Sequence, residues 1–530
     1  MNLQTPFRAF PYQVVSPAIL LASALLLFQN VASAQDYFDF EPDDANILTR
    51  GPVHEAFAEP IVFDPEPGPI APTAPPEEVE EYPPDQQPEG MNVTWIPGYW
   101  AWDDELSNYI WVSGIWRDIP PGRDWVGGYW ARTPQGHQWI AGYWADMDSN
   151  ETYYLPEPPV TVETGPNLNA APSPNHIWAP GTWVWHDVSY GWRPGYWMEG
   201  RPDWVWVPAH YAWTPRGYVF IDGYWDYELE SRGVLFAPVR FEPAHLARRG
   251  YRYTPRTVID VRVFTDHLFV RPRHSHYYFG DYYEERYVNI GFRPWFSVHT
   301  SRKVYDPIYV HRRWKHRGDR DWDSRLRRDF DHRRRDRDSR PPRTWADQRR
   351  SRELHDRNRS GSPFHGIARA LSQVTRRKDS PLRFRRVDDG ERSRYAARRQ
   401  DLNRGRLNRR SNETREDRPD NRYNTRTRPA KVTRQKSPIS SRPVRELTEK
   451  RRPPVRQEQP KVDRSVQPRK RAEVKRQPTP RREDNRREGS RDRNANDRGP
   501  DRGKDAAEDR GRSKAKNKGG KDRDKDKRDN

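Results

Sequence analysis

The chain has 530 residues, 33% of them hydrophobic, with 51 Pro, no Cys and a formal net charge of +19. That apolar share is too small for a protein folded along this whole length, so part of the chain is expected to be disordered. The lack of Cys excludes disulfides, thiolate metal sites and a lipid-modified N-terminal cysteine.

Residues 1–34 read as a secretory signal. Arg8 supplies a positive start, Val14 to Phe28 an apolar stretch, and Ala32-Ser33-Ala34 a small-residue cleavage site. The apolar run is short for a membrane span, and no later stretch reaches spanning length. The mature chain is therefore expected to be exported, to the periplasm, cell envelope or medium, with no transmembrane span. Residues 35–92 carry 15 Asp/Glu against one Arg and are rich in Pro, as in DPEPGPIAPTAPPEEVEEYPP. This composition predicts an extended, disordered linker.

Residues 93–245 hold 18 of the 22 Trp and are organised by a repeat. Its units are WIPGYW (Trp95, Gly98, Trp100), WVSGIW (Trp111, Gly114, Trp116), WVGGYW (Trp125, Gly128, Trp130) and WIAGYW (Trp139, Gly142, Trp144). After the connector LPEPPVTVETGPNLNAAPSPN come WAPGTW (Trp178, Gly181, Trp183) and WRPGYW (Trp192, Gly195, Trp197). A degenerate WVPAHY from Trp206, FIDGYW (Phe220, Gly223, Trp225) and an echo, FAPVRF from Phe236, complete the series. Start-to-start spacings are 16, 14 and 14 in the first block, then 14, 14, 14 and 16.

This pattern resembles the WxxGxW (YXWGXW) repeat family of exported bacterial proteins. The resemblance covers residues 95 to about 241 and implies an exported repeat protein whose molecular function is not established. Ala209 and Val239 stand where the repeat has Gly.

Trp, Tyr, Val and Ile favour strands, and Pro and Gly in every unit rule out helix. The tracts IPPGRD, TPQG, TPRG and ESRG are turn sequences. The prediction is all-β: an antiparallel meander of about nine 14–16-residue repeats, one strand each, closed as a sandwich or open barrel. Gly in each unit either leaves room for a neighbouring Trp ring or marks a bulge that puts both Trp on one face.

Each Trp can bury about 150–250 Å², so the rings can build the core without cysteines. Alternatively, Trp outside the motif, namely Trp102, Trp185 and Trp213, form rows that stack on an envelope polysaccharide.

Residues 246–315, with RTVIDVRVF, HYYFGDYY and ERYVNIGF, read as short strands that either complete the sheet or form an appended β unit. His267, His274, His276 and Asp281 raise the question of a metal, but a His-x-His pair alone does not make a site, and no metal or cofactor is expected. No nucleophile elbow, zinc-protease motif or phosphate loop occurs, so no catalytic residue and no enzymatic activity are expected.

Residues 316–530 interleave Arg, Lys, Asp and Asn with few apolar residues and are expected to be disordered, with local helix around RDWDSRLRRDF and HGIARALSQVTRR. Residues 246–530 carry a net charge of +42, against −14 for 35–92 and −10 for 93–245. The function expected is a non-enzymatic structural or scaffolding role in the bacterial cell envelope. The tail 316–530 would tether the protein to an anionic polymer or lipid surface, and export argues against nucleic acid as its partner in vivo. The alternative is a carbohydrate-binding module.

Overall fold

Two motifs, rather than one, make the structural unit. In the computed structural model, Trp95 pairs with Trp116 and Trp100 with Trp111, so WIPGYW and WVSGIW are the two arms of a single antiparallel hairpin. The structure describes residues 45–90, 92–166, 170–300, 302–358, 366–414, 429–441 and 459–466, all within one structural unit, residues 1–472. The predicted signal and most of residues 415–530 lie outside the described residues.

The first hairpin comprises Val93–Ile96, Tyr99–Asp103, Asn108–Val112 and Ile115–Asp118. Both arms break at the same level, at Pro97-Gly98 and Ser113-Gly114, leaving two residues opposite two. There is thus no one-residue bulge. Pro97 has no amide to donate, and a side chain at Gly98 would collide with the opposite arm, so the ladder lapses there and the hairpin kinks.

The same plan recurs three times. The second hairpin runs from Arg123–Val126 to Tyr143–Asp146, the third from His176–Ala179 to Tyr196–Glu199 and the fourth from Trp204–Val207 to Tyr224–Tyr227. TPQG and TPRG form the tips of the second and fourth hairpins, while IPPGRD joins the first to the second. Eight cross-strand pairs between motif aromatics result, two per hairpin, with ring centroids 5.0–5.4 Å apart and interplanar angles of 55–77°. Such tilted or edge-on pairs each add about 0.5–1.5 kcal/mol beyond the area they bury.

The antiparallel Trp-rich repeat architecture therefore stands, but the strands do not form one continuous meander. Each hairpin keeps its own two short ladders. The ninth unit is half a hairpin: Gly233–Leu235 and Val239–Phe241, broken at Phe236-Ala237-Pro238, pair with the first hairpin and bring the repeat series back to its start.

The acidic segment predicted to be a loose linker is threaded through the fold. Ala45–Ile47 pairs with Val239–Phe241, Gly51–Pro52 with the strand His276–Phe279, Ile61–Val62 with Val304–Tyr305 and Ile70–Ala71 with the second hairpin. Val53, Ala56, Phe57 and Ile61 are fully buried. Residues 246–315 mix strand and helix, with Val261–Phe264 and Glu285–Asn289 helical where strands were expected, and they meet the repeat series through a Phe236–Val258 bridge rather than a continued ladder. Leu268–Arg271, His276–Phe279 and Arg293–Pro294 form their own four-stranded sheet with Gly51–Pro52.

Beyond residue 306 come α1 (Pro307–Lys315), α2 (Trp322–Arg335), α3 (Trp345–Asn358) and α4 (Asp389–Thr414). Asp306 caps α1 by accepting the Tyr309 amide, and it also takes the Tyr277 hydroxyl. The basic tail is thus helical and docked over much of 316–414, not only at the two places expected, and the second of these, HGIARALSQVTRR, is part strand (Ala368–Ala370) and part helix (Leu371–Thr375). Its arginines supply the reason: Arg392 and Arg399 of α4 donate to the carbonyls of Pro83 and Val79 in the acidic segment. Arg409 is buried, bonding the Gly127 and Ala141 carbonyls at the kink of the second hairpin. Downstream, Ala430–Thr433 adds a strand to Glu151–Tyr154.

Candidate functional site

The repeat glycines do two jobs, one for a ring and one for a carboxylate. A Cβ on Gly114 would lie 2.5 Å from the Trp95 ring, and one on Gly98 2.8 Å from the Trp111 ring. The same holds for Gly128 with Trp139, Gly142 with Trp125, Gly181 with Trp192, Gly195 with Trp178 and Gly223 with Trp206. The first Trp of each motif lies on the glycine of the motif facing it, which realises the first of the two roles expected for Gly. None of these glycines has a positive φ, so close approach alone demands them. Where Ala209 replaces Gly, the residue at the facing position is Phe220, a smaller ring.

The kink also frees backbone N–H groups, and glutamates from outside the repeats take them. Glu81, 1% exposed, accepts the amides of Gly98 (2.9 Å) and Gly114 (3.0 Å) and the Trp111 indole N–H (3.1 Å). Glu55 does the same for the second hairpin, taking the Gly142 amide (3.0 Å) and the Trp139 indole N–H (2.5 Å). In the third hairpin Glu163, from the Pro-rich connector, accepts the Gly181 amide.

Carbonyls upstream of two of these glutamates accept indole N–H groups, Glu77 from Trp100 and Val160 from Trp183. A WxxGxW hairpin is thus a receptor for an extended Pro-rich strap ending in a carboxylate. Burial pushes Glu81 up to about 7, against the pull of its three N–H donors.

The fourth hairpin is different. Gly223 is bonded by the carboxylate of its own neighbour, Asp222. The nearby Glu59 lies 3.9 Å from His210, and its Oε1 has no hydrogen-bond partner among the described residues. Burial, with Glu55 and Asp226 adding repulsion, pushes Glu59 up to about 8.

A folded carboxyl with a raised pKa holds a proton that the unfolded chain releases above its ordinary value of 4.5, so stability falls as pH rises towards 8. Seven histidines with lowered values, His54, His210, His274, His276, His299, His311 and His316, act oppositely, and their effect fades over about a unit above their ordinary 6.5. Glu59→Gln removes one carboxyl and no histidine, so the difference between the two proteins isolates the carboxyl effect. In denaturant unfolding the stability of wild type relative to Glu59→Gln should therefore fall as pH rises from 4.5 towards 8.

The three Trp singled out from the sequence occupy equivalent positions near hairpin tips, each opposite a tyrosine: Trp102 with Tyr109, Trp185 with Tyr190 and Trp213 with Tyr218. All three are half-buried. Trp185 and Trp213 pack against one cluster with Leu155, Tyr211 and Tyr218, whereas Trp102 packs against the main core, so they do not form one row. Trp185 lines a cleft of about 500 Å³ together with Tyr153, Phe220, Asp146 and Asp222.

The histidines of residues 246–315 do not converge. His267 bonds the Tyr283 hydroxyl and His276 the Tyr99 hydroxyl, while Asp281 pairs with Arg343. No group of metal-ligating side chains occurs among the described residues. Among these residues, too, no helix is long and apolar enough to cross a membrane.

A second cleft, of about 460 Å³, lies between the first two hairpins, α4 and the strap at residues 74–78. Its residues come from four separate stretches of the chain, which only the fold brings together.

Fold and site define a protein of kinked tryptophan hairpins, each built from two facing motifs. The chain carries the WXXGXW repeat (2 copies), matched over residues 90–117, 125–145, 174–198 and 201–226. Each matched stretch coincides with one hairpin, so the two copies in the repeat are its two arms. No curated protein and no solved structure matches the chain.

Proposed function

We propose that the protein is an exported, non-enzymatic structural component of the bacterial cell envelope, held to anionic envelope material by its basic C-terminal region. The observation that carries this reading is the segregation of charge: −24 over residues 35–245 and +42 over 246–530. The motif rings and the repeat-capping carboxylates are largely spent on internal contacts, which fits a scaffold better than a catalyst.

Because arginines up to residue 434 also serve internal contacts, the tether is placed further along, in residues 467–530, with 24 Lys/Arg against 14 Asp/Glu. Protein lacking residues 467–530 should be lost from isolated envelopes. Wild type should be released in about 0.5 M salt, where screening shortens electrostatic reach to a few Å. Retention after both treatments would defeat the proposal. The cleft holding Trp185, Tyr153 and Phe220 beside Asp146 and Asp222 favours a second reading, a glycan-binding module, since aromatic faces flanked by acceptors suit sugar rings.

A further inference from the structure

We propose that the cleft between the first two hairpins and α4 binds an acidic saccharide; this rests on the envelope reading above and places a specific contact in the folded part of the chain. Trp130 supplies the stacking surface. It is half-buried, and its ring is fixed by an indole hydrogen bond to the Trp100 carbonyl (3.0 Å) and a tilted contact with Trp139 (5.4 Å). A rigid ring at a cleft wall offers an apolar face to the C–H side of a sugar at little entropic cost.

The charged groups around it are three arginines and one glutamate, beside the hydroxyls of Tyr99 and Tyr129 and the polar ends of His137 and Asn403. Arg132 and Arg410 are exposed, line the cleft and form no ion pair among the described residues. Arg406 also lines it; its Nη1 bonds Glu78 (3.1 Å) and Asn403 (3.3 Å), while its buried Nε has no hydrogen-bond partner among the described residues. His137 Nδ1 is in the same state. Glu78, the sole carboxylate lining the cleft among the described residues, is already held by Arg406 and Asn403.

Three guanidinium groups beside a fixed indole match a ligand with a sugar ring and an anionic substituent. A neutral sugar would leave the cations unanswered, and an anion without a ring would leave Trp130 unused. The volume of about 460 Å³ suits an oligosaccharide segment. A uronic-acid carboxylate and a sugar phosphate share this chemistry.

The test is equilibrium binding by full-length protein, in about 0.3 M salt to suppress the tail's non-specific attraction, of trigalacturonate, trehalose 6-phosphate and neutral maltotriose. At least one acidic sugar should bind, and whichever binds names the anionic group; maltotriose should bind roughly tenfold more weakly or not at all. Arg132→Ala/Arg410→Ala should weaken acidic-sugar binding by roughly tenfold or more, as expected for lost charge-assisted hydrogen bonds. Arg502→Ala/Arg512→Ala removes the same charge from the tail and should change binding less than about twofold. Unchanged melting of both variants would show that the fold is intact.

Failure of wild type to bind either acidic sugar, equal binding of maltotriose, or equal losses in the two variants would overturn the proposal. Envelope retention by a protein that ignores these sugars would sink this inference and leave the tether standing. Sugar binding without envelope retention would do the reverse.

Discussion

Gly98→Ala should abolish the stable fold of the first hairpin and lower protein stability by more than about 3 kcal/mol, the scale of severe overpacking. The added Cβ would sit 2.2 Å from the Val112 carbonyl oxygen and 2.8 Å from the Trp111 ring. The carbonyl belongs to the backbone of the opposing arm and cannot step aside without opening the ladder. Shifting residue 98 instead would withdraw its amide from Glu81.

Gly405→Ala is the matching control, because that glycine lies within α4 with nothing within 4 Å of its added Cβ. It should be neutral or stabilise by up to about 1 kcal/mol. Equal behaviour of the two variants in denaturant unfolding would remove the glycine–ring account of the repeat.

Substituting Arg117 should be as severe. It is fully buried, its Nη2 reaches both Asp226 carboxylate oxygens, at 2.6 and 2.7 Å, and its Nε donates to the Ala56 carbonyl. Arg232 completes the group, 3.0 Å from Asp226 and bonded to the carbonyls of Phe57 and Tyr227. The cluster ties the first hairpin, the fourth hairpin and the acidic segment together. Arg117→Leu strands part of the Asp226 charge and the Ala56 carbonyl in the interior, at an expected cost of about 3–5 kcal/mol.

Adding Asp226→Leu to Arg117→Leu should cost less than the sum of the two single changes, since neither charge is then left facing an absent partner. A double variant whose loss equals that sum would show that the two side chains act independently.

The repeat period, the turns and the glycine's accommodation of a ring were all legible, because each rests on local chemistry recurring along the chain. What the motif spacing did not show was that a unit of 14 residues contains two strands. Composition alone does not distinguish one strand of ten residues from two of four or five separated by Pro-Gly. The straps were missed for another reason. Residues 35–92 carry too much charge to bury by their own apolarity, yet Glu55 and Glu81 are buried because Gly and Trp N–H groups await them. The sequence signal lies in short extended tracts with Val two residues before Glu, Val53-His54-Glu55 and Val79-Glu80-Glu81, and it acquires meaning only beside the kinked hairpins. Likewise Arg409 looked like any other tail arginine until α4 set it against the second hairpin.

The order of these straps along the chain bears on assembly. Glu55 and Glu81 precede the hairpins they cap, and Glu163 falls between the second hairpin and the third. A chain emerging from its N-terminus therefore presents each carboxylate before the backbone amides that need it, so the capping groups for these hairpins are at hand as each takes shape. Contacts within a hairpin span few residues and close quickly. Later steps belong to the ninth unit, returning to the first hairpin, then to Arg409, locking the second, and then to Ala430–Thr433. Assembly thus has a built-in direction, with α4 and the strand after it as its latch.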